Sequence, residues 1–460
     1  MGLYSFYRIS KPSRNTLEAD KVESSYKALR NRTFWGATIA YSLYYVCRMS
    51  LSVVKQPLID EGILTAGQLG LIGSALFFVY SIGKFINGFI ADYCNIRRFM
   101  ATGLFISAAV NLLMGVLGFM KGVAGFSALI IFISFAILWG VNGWMQSMGS
   151  APGVISLSRW FPQSKRGSFY SIFSASPYIG EFISYNVIAA VVAWLGWQYG
   201  FLVASLAGLL GTAIILLFVS DTPESKGLPS VQTLSKEKLT KEDEMRTKDL
   251  QKRILRHPGI WVIALSSAFI YITKYAVAGW GVLFLQKARG FSLEDASQVI
   301  AFSAIFGILG TVMAGWLSDR VFKGDRAKPA IISGILSFAS LALFLFVGGG
   351  YGLNILYVSL FSLFVGILYC IVAGLMAVDI VPRKATGAAL GVVGISSYIA
   401  AGLQDIISGY MIQGNTTAIG GEEVYDFAPV SVFWLIAALI SFILPVANWK
   451  KMKGKTQTEN

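Results

Sequence analysis

The chain has 460 residues, 55% of them hydrophobic and only 13% charged, which leaves too little polar surface for a soluble domain of this length. Its formal net charge is +14, yet the basic residues are spread through the segments that separate apolar runs, which excludes nucleic acid as the partner. One histidine (His257) and three cysteines (Cys47, Cys94, Cys370) show no metal-ligand or disulfide spacing, so most enzyme readings fall away and neither metal nor cofactor is expected.

The first ~30 residues are polar and of mixed charge, so the first apolar run has to direct insertion itself. The runs that follow approach the ~20 residues a helix needs to cross a ~30 Å hydrocarbon core. They are too long, and too rich in Leu, Ile, Phe and Gly, for the ~10-residue alternating strands of a barrel. The first span is predicted over 33–54 and contains Trp35, Tyr45 and Arg48. The second, 68–91, contains Lys84 and Gly88 and runs into Asp92, Arg97 and Arg98. The third covers 99–119; the fourth covers 127–150 and holds Gln146, with Gly149 and Pro152 expected to break it. The fifth, 168–193, carries Glu181, and the sixth is 201–220. Residues 222–257 have no apolar run and read as a solvated tether with a short helix around Lys236–Arg256, a regulatory docking site being the alternative. The seventh span, 260–285, contains Trp261, Tyr271 and Lys274. The eighth, 295–317, contains Gly315 and is followed by Asp319, Arg320 and Arg326. The ninth and tenth are 330–349 and 353–378, the eleventh, 387–411, carries Asp405, and the twelfth is 429–448. Asn415-Thr416-Thr417, in the last loop, forms a glycosylation sequon.

Trp261, Tyr271 and Lys274 repeat the spacing of Trp35, Tyr45 and Arg48, and Gly315 and Asp319 repeat that of Gly88 and Asp92 at almost the same offset. The chain is therefore read as a duplication, with an all-α integral-membrane fold of twelve helices in two pseudo-symmetric six-helix halves, 1–221 and 258–460, joined by the linker 222–257. Nearly all Lys and Arg lie in the tails, the even-to-odd loops and the linker, and the opposite side has only Lys55, Lys121, Lys287 and Arg289. That asymmetry predicts both termini on the cytoplasmic side of a multi-pass protein.

Three basic residues remain inside spans: Arg48, Lys84 and Lys274. A charge at the bilayer centre costs at least ~2.5–3.5 kcal/mol. Arg48 and Lys274 lie ~20 Å deep at 1.5 Å rise per residue, so each has to face a polar cavity. Two positive charges converging on one cavity repel unless an anion lies between them, so the expected ligand is anionic and its pocket is between Arg48 and Lys274. The Arg fork suits bidentate phosphate or carboxylate, Lys supplies a point charge, and Tyr45 and Tyr271 lie on the same helix faces with hydroxyls to donate. The alternative is ion pairing with Glu181 or Asp405. Those two acids read either as charge balance or as a protonatable coupling site. Lys84 either lines the pocket or snorkels to the cytoplasm, and Gln146 either contacts substrate or packs helices. Tyr44, Tyr80 and Asn87 are ordinary in such a bundle and receive no role. Asp92 and Asp319, each with its trailing arginines (Arg97 and Arg98; Arg320 and Arg326), are read as a gating latch that closes and releases through charge-assisted hydrogen bonds, with ordinary loop charge as the alternative.

These residues resemble the organophosphate:inorganic phosphate antiporter family of the major facilitator superfamily, over nearly the whole chain. Tyr41–Ser50 (YSLYYVCRMS) is similar to the family's G-Y-x-x-Y-Y-x-x-R-K pattern, with Arg48 at the phosphate-binding arginine. Tyr80–Arg97 (YSIGKFINGFIADYCNIR) is similar to Y-G-x-x-K-F-x-x-G-x-x-S-D-x-x-N-x-R, with Lys84 at the lysine, and Asp221–Pro229 and Gly315–Arg326 match two further signatures. The chain departs from the pattern at Met49, at Lys274 in place of an arginine, at Ser176–Glu181 where the family has A-H-N-x-G-G, and at Gly149–Gly153. The resemblance implies the major facilitator fold. It also implies exchange of a small phosphorylated metabolite for inorganic phosphate by rocker-switch alternating access. A monomer in a bacterial inner membrane is the implied setting. A non-transporting sugar-phosphate sensor and a proton-coupled organic-anion symporter are the competing readings.

Overall fold

A computed structural model describes residues 3–15, 17–64, 66–120, 127–235, 246–419 and 422–458. Among them the chain is helical apart from one two-stranded antiparallel hairpin, β1 (Thr416–Ile419) with β2 (Glu422–Tyr425), in the last interhelical loop. A reading based on apolar runs has no means of finding so short a pair. Ten helices among the described residues are long and apolar enough to cross a membrane.

The chain separates into two compact units. The first comprises Met1–Phe169, Ile179–Leu255 and Val381–Gly391; the second comprises Tyr170–Tyr178, Arg256–Ile380 and Val392–Asn460.

The first unit begins with α1 (Leu3–Tyr7) and α2 (Ala19–Asp60), the latter starting well before its apolar run. Its polar first turns carry the exposed pair Lys27–Glu23, four residues apart at 2.7 Å. Next come α3 (Ala66–Ala91), α4 (Ile96–Phe119) and α5 (Ala128–Trp160). The expected break in the fourth span is absent: α5 continues through Pro152 to Trp160. One proline removes a single N–H from the ladder, and here the helix carries on past it. The fifth segment is the broken one, in pieces α6 (Gln163–Ser174), α7 (Ser176–Ile183), a π turn (Ser184–Ile188) and α8 (Ala189–Leu195). Pro177, at the second position of α7, has no N–H to return to the Phe173 carbonyl, and the interruption falls at Ala175. Helix α9 (Trp197–Phe218) packs on α2 and α4, while α3 and α4 pack on α5. The short α10 (Val231–Ser235) is followed by α11 (Thr247–Arg256), which buries Leu250, Gln251 and Ile254. The tether expectation is thereby corrected: this part of the linker is docked, and residues 236–245 lie outside the described residues.

An N-terminal strap also belongs to this unit. Asn95 N–H donates to the Tyr7 carbonyl at 2.7 Å, Ser10 N–H to Asp221 Oδ2 at 2.7 Å, and Ser13 N–H to the Glu224 carbonyl at 2.9 Å. Asn95 Nδ2 donates to Ser10 Oγ at 2.8 Å.

The second unit holds α12 (Pro258–Arg289), α13 (Leu293–Trp316) with a π turn to Val321, α14 (Ala327–Ala342), α15 (Tyr351–Leu368) continued by a π stretch (Tyr369–Met376), and α16 (Ala377–Asp379). Most of α17 (Thr386–Gly414) and all of α18 (Ala428–Thr458) complete it. Helix α13 packs on α15, and α18 packs on α12 and α14. In both units Leu, Ile and Phe face outward, as at Leu206, Leu217, Ile335 and Ile436, while Ser, Asn and Gln such as Asn111, Asn142 and Gln404 are buried. An outer surface this apolar departs from a soluble protein's pattern, and in lipid every polar group has to be satisfied from within.

Candidate functional site

Arg48 stands on a part of α2 that is fixed from two neighbouring helices. The Cys47 carbonyl accepts from Asn111 Nδ2 of α4 at 3.1 Å and from Asn142 Nδ2 of α5 at 3.3 Å. Ser50 Oγ donates to Asn111 Oδ1 at 2.6 Å, and Ser107 Oγ donates to Asn142 Oδ1 at 2.5 Å. Such a satisfied buried network holds one geometry, since a missing partner would leave a costly orphan. Gln146 is part of this network. Its Nε2 donates to the Tyr44 carbonyl at 3.0 Å and to Ser107 Oγ at 2.7 Å, so its amide hydrogens are spent on joining α5 to α2 and α4.

Only 5% of Arg48 is exposed, and its guanidinium lies 4.4 Å from the ring centre of Tyr80, 5.4 Å from Tyr45 and 5.6 Å from Phe77. Lys84 follows Tyr80 by one turn of α3. It is buried, with Nζ 5.6 Å from the Tyr80 ring and donating to Ser150 Oγ at 3.2 Å. The structure thus points it inward among α3 and α5 rather than snorkelling toward water. Two cations thus approach one aromatic ring.

Lys274, in the second unit, stands on α12 with Nζ 4.4 Å from the Tyr178 ring centre and 5.2 Å from Tyr369. Tyr271 is buried three residues earlier and packs against Tyr398 at 5.0 Å, Tyr275 at 5.7 Å and Tyr369 at 5.8 Å. Glu181 is half-buried on α7, and the side chain of Asp405 on α17 lies outside the described residues.

At the end of α3, the Asp92 carboxylate accepts from the N–H groups of Gly387 at 2.9 Å and Ala388 at 3.1 Å, and from Gln251 Nε2 at 3.0 Å. These partners are all in the first unit. A Cβ at Gly88 would meet the Gly387 carbonyl at 2.6 Å, so glycine is what lets the start of α17 reach the carboxylate. Burial raises the Asp92 pKa to about 7, against the pull of Gln251, the two backbone donors and the charge of Arg159. Arg159 donates to Asp221 Oδ1 at 2.6 Å and to the Asp92 carbonyl at 3.3 Å. Arg97, one of the two arginines that trail Asp92, is exposed and donates to the Leu216 carbonyl. In the second unit Arg326 donates to Asp319 Oδ1 at 2.6 Å, Ser318 Oγ at 2.6 Å and Asp379 Oδ2 at 2.8 Å, while Arg320 is exposed. Burial works against the Arg326 charge, but Asp379 and Asp319 outweigh it and hold its pKa above the ordinary range. The first carboxylate is held by N–H donors and the second by an arginine seven residues on.

Phe77, Tyr80, Tyr178 and Tyr369 complete the two cationic sites, and sequence reasoning assigned them nothing. Only Tyr80, one turn before Lys84, offered a spacing signal.

The Major Facilitator Superfamily profile matches residues 37–404. The glycerol-3-phosphate transporter of Bacillus subtilis (strain 168) is 33% identical over 397 residues, covering 84% of this chain and 87% of the relative. A probable hexose phosphate transport protein of Chlamydia pneumoniae is 28% identical over 478 residues, covering 99% and 98%. Among solved structures, the Major Facilitator Superfamily transporter FucP in the outward conformation has a similar fold, with TM-score 0.62 and 14% identity over 90% of this chain and 97% of that one.

Proposed function

This chain belongs to the Major Facilitator Superfamily and, within it, to the organophosphate:inorganic phosphate antiporters, and from that premise we propose that it exchanges a small phosphate monoester for inorganic phosphate. The observation that carries the reading is the pair of buried cations, Arg48 and Lys84, gathered on the Tyr80 ring. The Arg48 fork binds two phosphate oxygens, Lys84 balances the second negative charge, and Tyr45 flanks them. Lys274 and Tyr271, on a pseudo-equivalent helix, supply a further cation and hydroxyl as the carrier alternates its access by a rocker-switch. Gln146 positions Arg48 through the helix network and does not touch substrate. Asp92 and Asp319 act as the cytoplasmic gates. On this reading a monomer works in a bacterial cytoplasmic membrane with both termini inside, in keeping with the charge of its loops.

Proteoliposomes loaded with labelled inorganic phosphate test it directly. Challenge with glycerol-3-phosphate, glucose-6-phosphate or a phosphoglycerate is expected to release label, and Arg48→Ala to abolish release. Loss of label to a dicarboxylate but to no phosphate ester would overturn the assignment. Glu181 motivates one second reading, proton-coupled uptake, because the family pattern has no acid at that position. Under exchange, Glu181→Gln leaves the pH profile of transport unchanged; a flattened profile would favour proton coupling.

A further inference from the structure

Helix α11 reads Thr-Lys-Asp-Leu-Gln-Lys-Arg-Ile-Leu-Arg, and Leu250 and Ile254, four residues apart, bury one stripe. Lys248, Lys252 and Arg253 point outward. Hydrophobic docking alone would explain that stripe. It does not explain Gln251, which is only 8% exposed and whose two ends are both engaged. Its Nε2 donates to Asp92 Oδ2 at 3.0 Å and to the Phe89 carbonyl at 2.9 Å, and its Oε1 accepts from the Tyr93 hydroxyl at 3.3 Å. The Phe89 carbonyl, which can only accept, fixes which way the amide faces, presenting N–H to the carboxylate, and the Tyr93 hydroxyl satisfies the oxygen end. The same carboxylate oxygen receives the Ala388 N–H.

We propose that Gln251 is a positioning residue for the Asp92 gate, which makes the linker helix a working part of that gate rather than a tether. This rests on the gating role given to Asp92 above. An ionised carboxylate in this setting needs its donors, whereas a protonated one needs few. Burial raises the Asp92 pKa to about 7, so this buried contact is favoured by protonation below that pH and depends most on its donors above it. The other titratable or charged groups close to Asp92 are Arg159 of α5, Asp221 after α9 and Cys94 in the turn after α3. Lys384, just before α17, is exposed.

A reporter that needs no substrate separates this proposal from the transport reading. In full-length protein in membrane vesicles, with Cys47, Cys94 and Cys370 replaced by serine, Thr386→Cys places a thiol at the fully buried start of α17. Maleimide labelling is normalised to the denatured protein at each pH. Gln251→Leu is expected to raise the labelling rate roughly ten-fold at pH 8.5, the effect of one hydrogen bond to a charged group, and by less than about two-fold at pH 6. In an Asp92→Asn background the same change should add nothing. Should Gln251→Leu fold poorly, Tyr93→Phe, on an exposed ring, is expected to give the same pH-dependent pattern at about two- to three-fold. Unchanged labelling, an equal rise at both pH values, or a rise that persists with Asp92→Asn overturns the proposal. Altered phosphate exchange with normal labelling would leave the transport reading standing and remove this one.

Discussion

A guanidinium 4.4 Å from the centre of a tyrosine ring gains ~0.5–2 kcal/mol, which offsets only part of the cost of burying its charge. On the phosphate reading, charge-assisted hydrogen bonds to the anion add to this, so the chemistry of the fork matters more than its charge. Arg48→Lys keeps the charge and loses the two parallel donors. Phosphate exchange is expected to fall at least about ten-fold while the protein purifies and melts normally, and near-normal exchange would show that a point charge suffices. Arg48 and Lys274 were legible in the sequence because a charge inside an apolar run is conspicuous. Tyr178 and Tyr369 were not, because they reach Lys274 from segments far away in the chain and no periodicity links them to it.

Helices meet here through backbone contact as much as through side chains. Gly88 belongs to a repeated Gly–Asp spacing that the sequence displays, yet its reason is visible only in three dimensions: the start of α17 lies against it and offers its first N–H groups to Asp92. Even Gly88→Ala would place a methyl 2.6 Å from the Gly387 carbonyl, an overpacking strain of about 1–3 kcal/mol. Its maximal exchange rate should drop several-fold with the half-saturating phosphate concentration little changed; the opposite split would move Gly88 into the binding machinery. Sequence reasoning expected the helix break at Pro152 when it falls at Ala175, ahead of Pro177. A proline in the sequence therefore marks a lost N–H, not by itself a break.

At the scale of the molecule, the twofold repeat was the clearest message of the sequence, because Trp–Tyr–cation and Gly–Asp spacings recur in order. The repeat does not require identical solutions: Asp92 is held by backbone and amide donors, and Asp319 by Arg326. A carrier whose reorientation is driven by phosphate binding should exchange far faster than it leaks. Efflux of labelled phosphate into buffer without external substrate is therefore expected to be at least about ten-fold slower than exchange. Equal rates would mean that the empty carrier turns over freely.

The strap that pins Ser10 to Asp221 has a consequence in time as well as in space. Those two residues are 211 positions apart, so at ~5–20 residues per second the ribosome delivers the acceptor some ~10–40 seconds after the donor. Throughout that interval Ser10 can meet Asn95 but not Asp221, and Ser13 lacks Glu224, so the strap closes only after the spans of this unit are made. The beginning of the chain is thus among the last parts of its own half to settle. A bulky fusion placed there would be carried into a closing joint, whereas one placed after α18 would meet no such deadline.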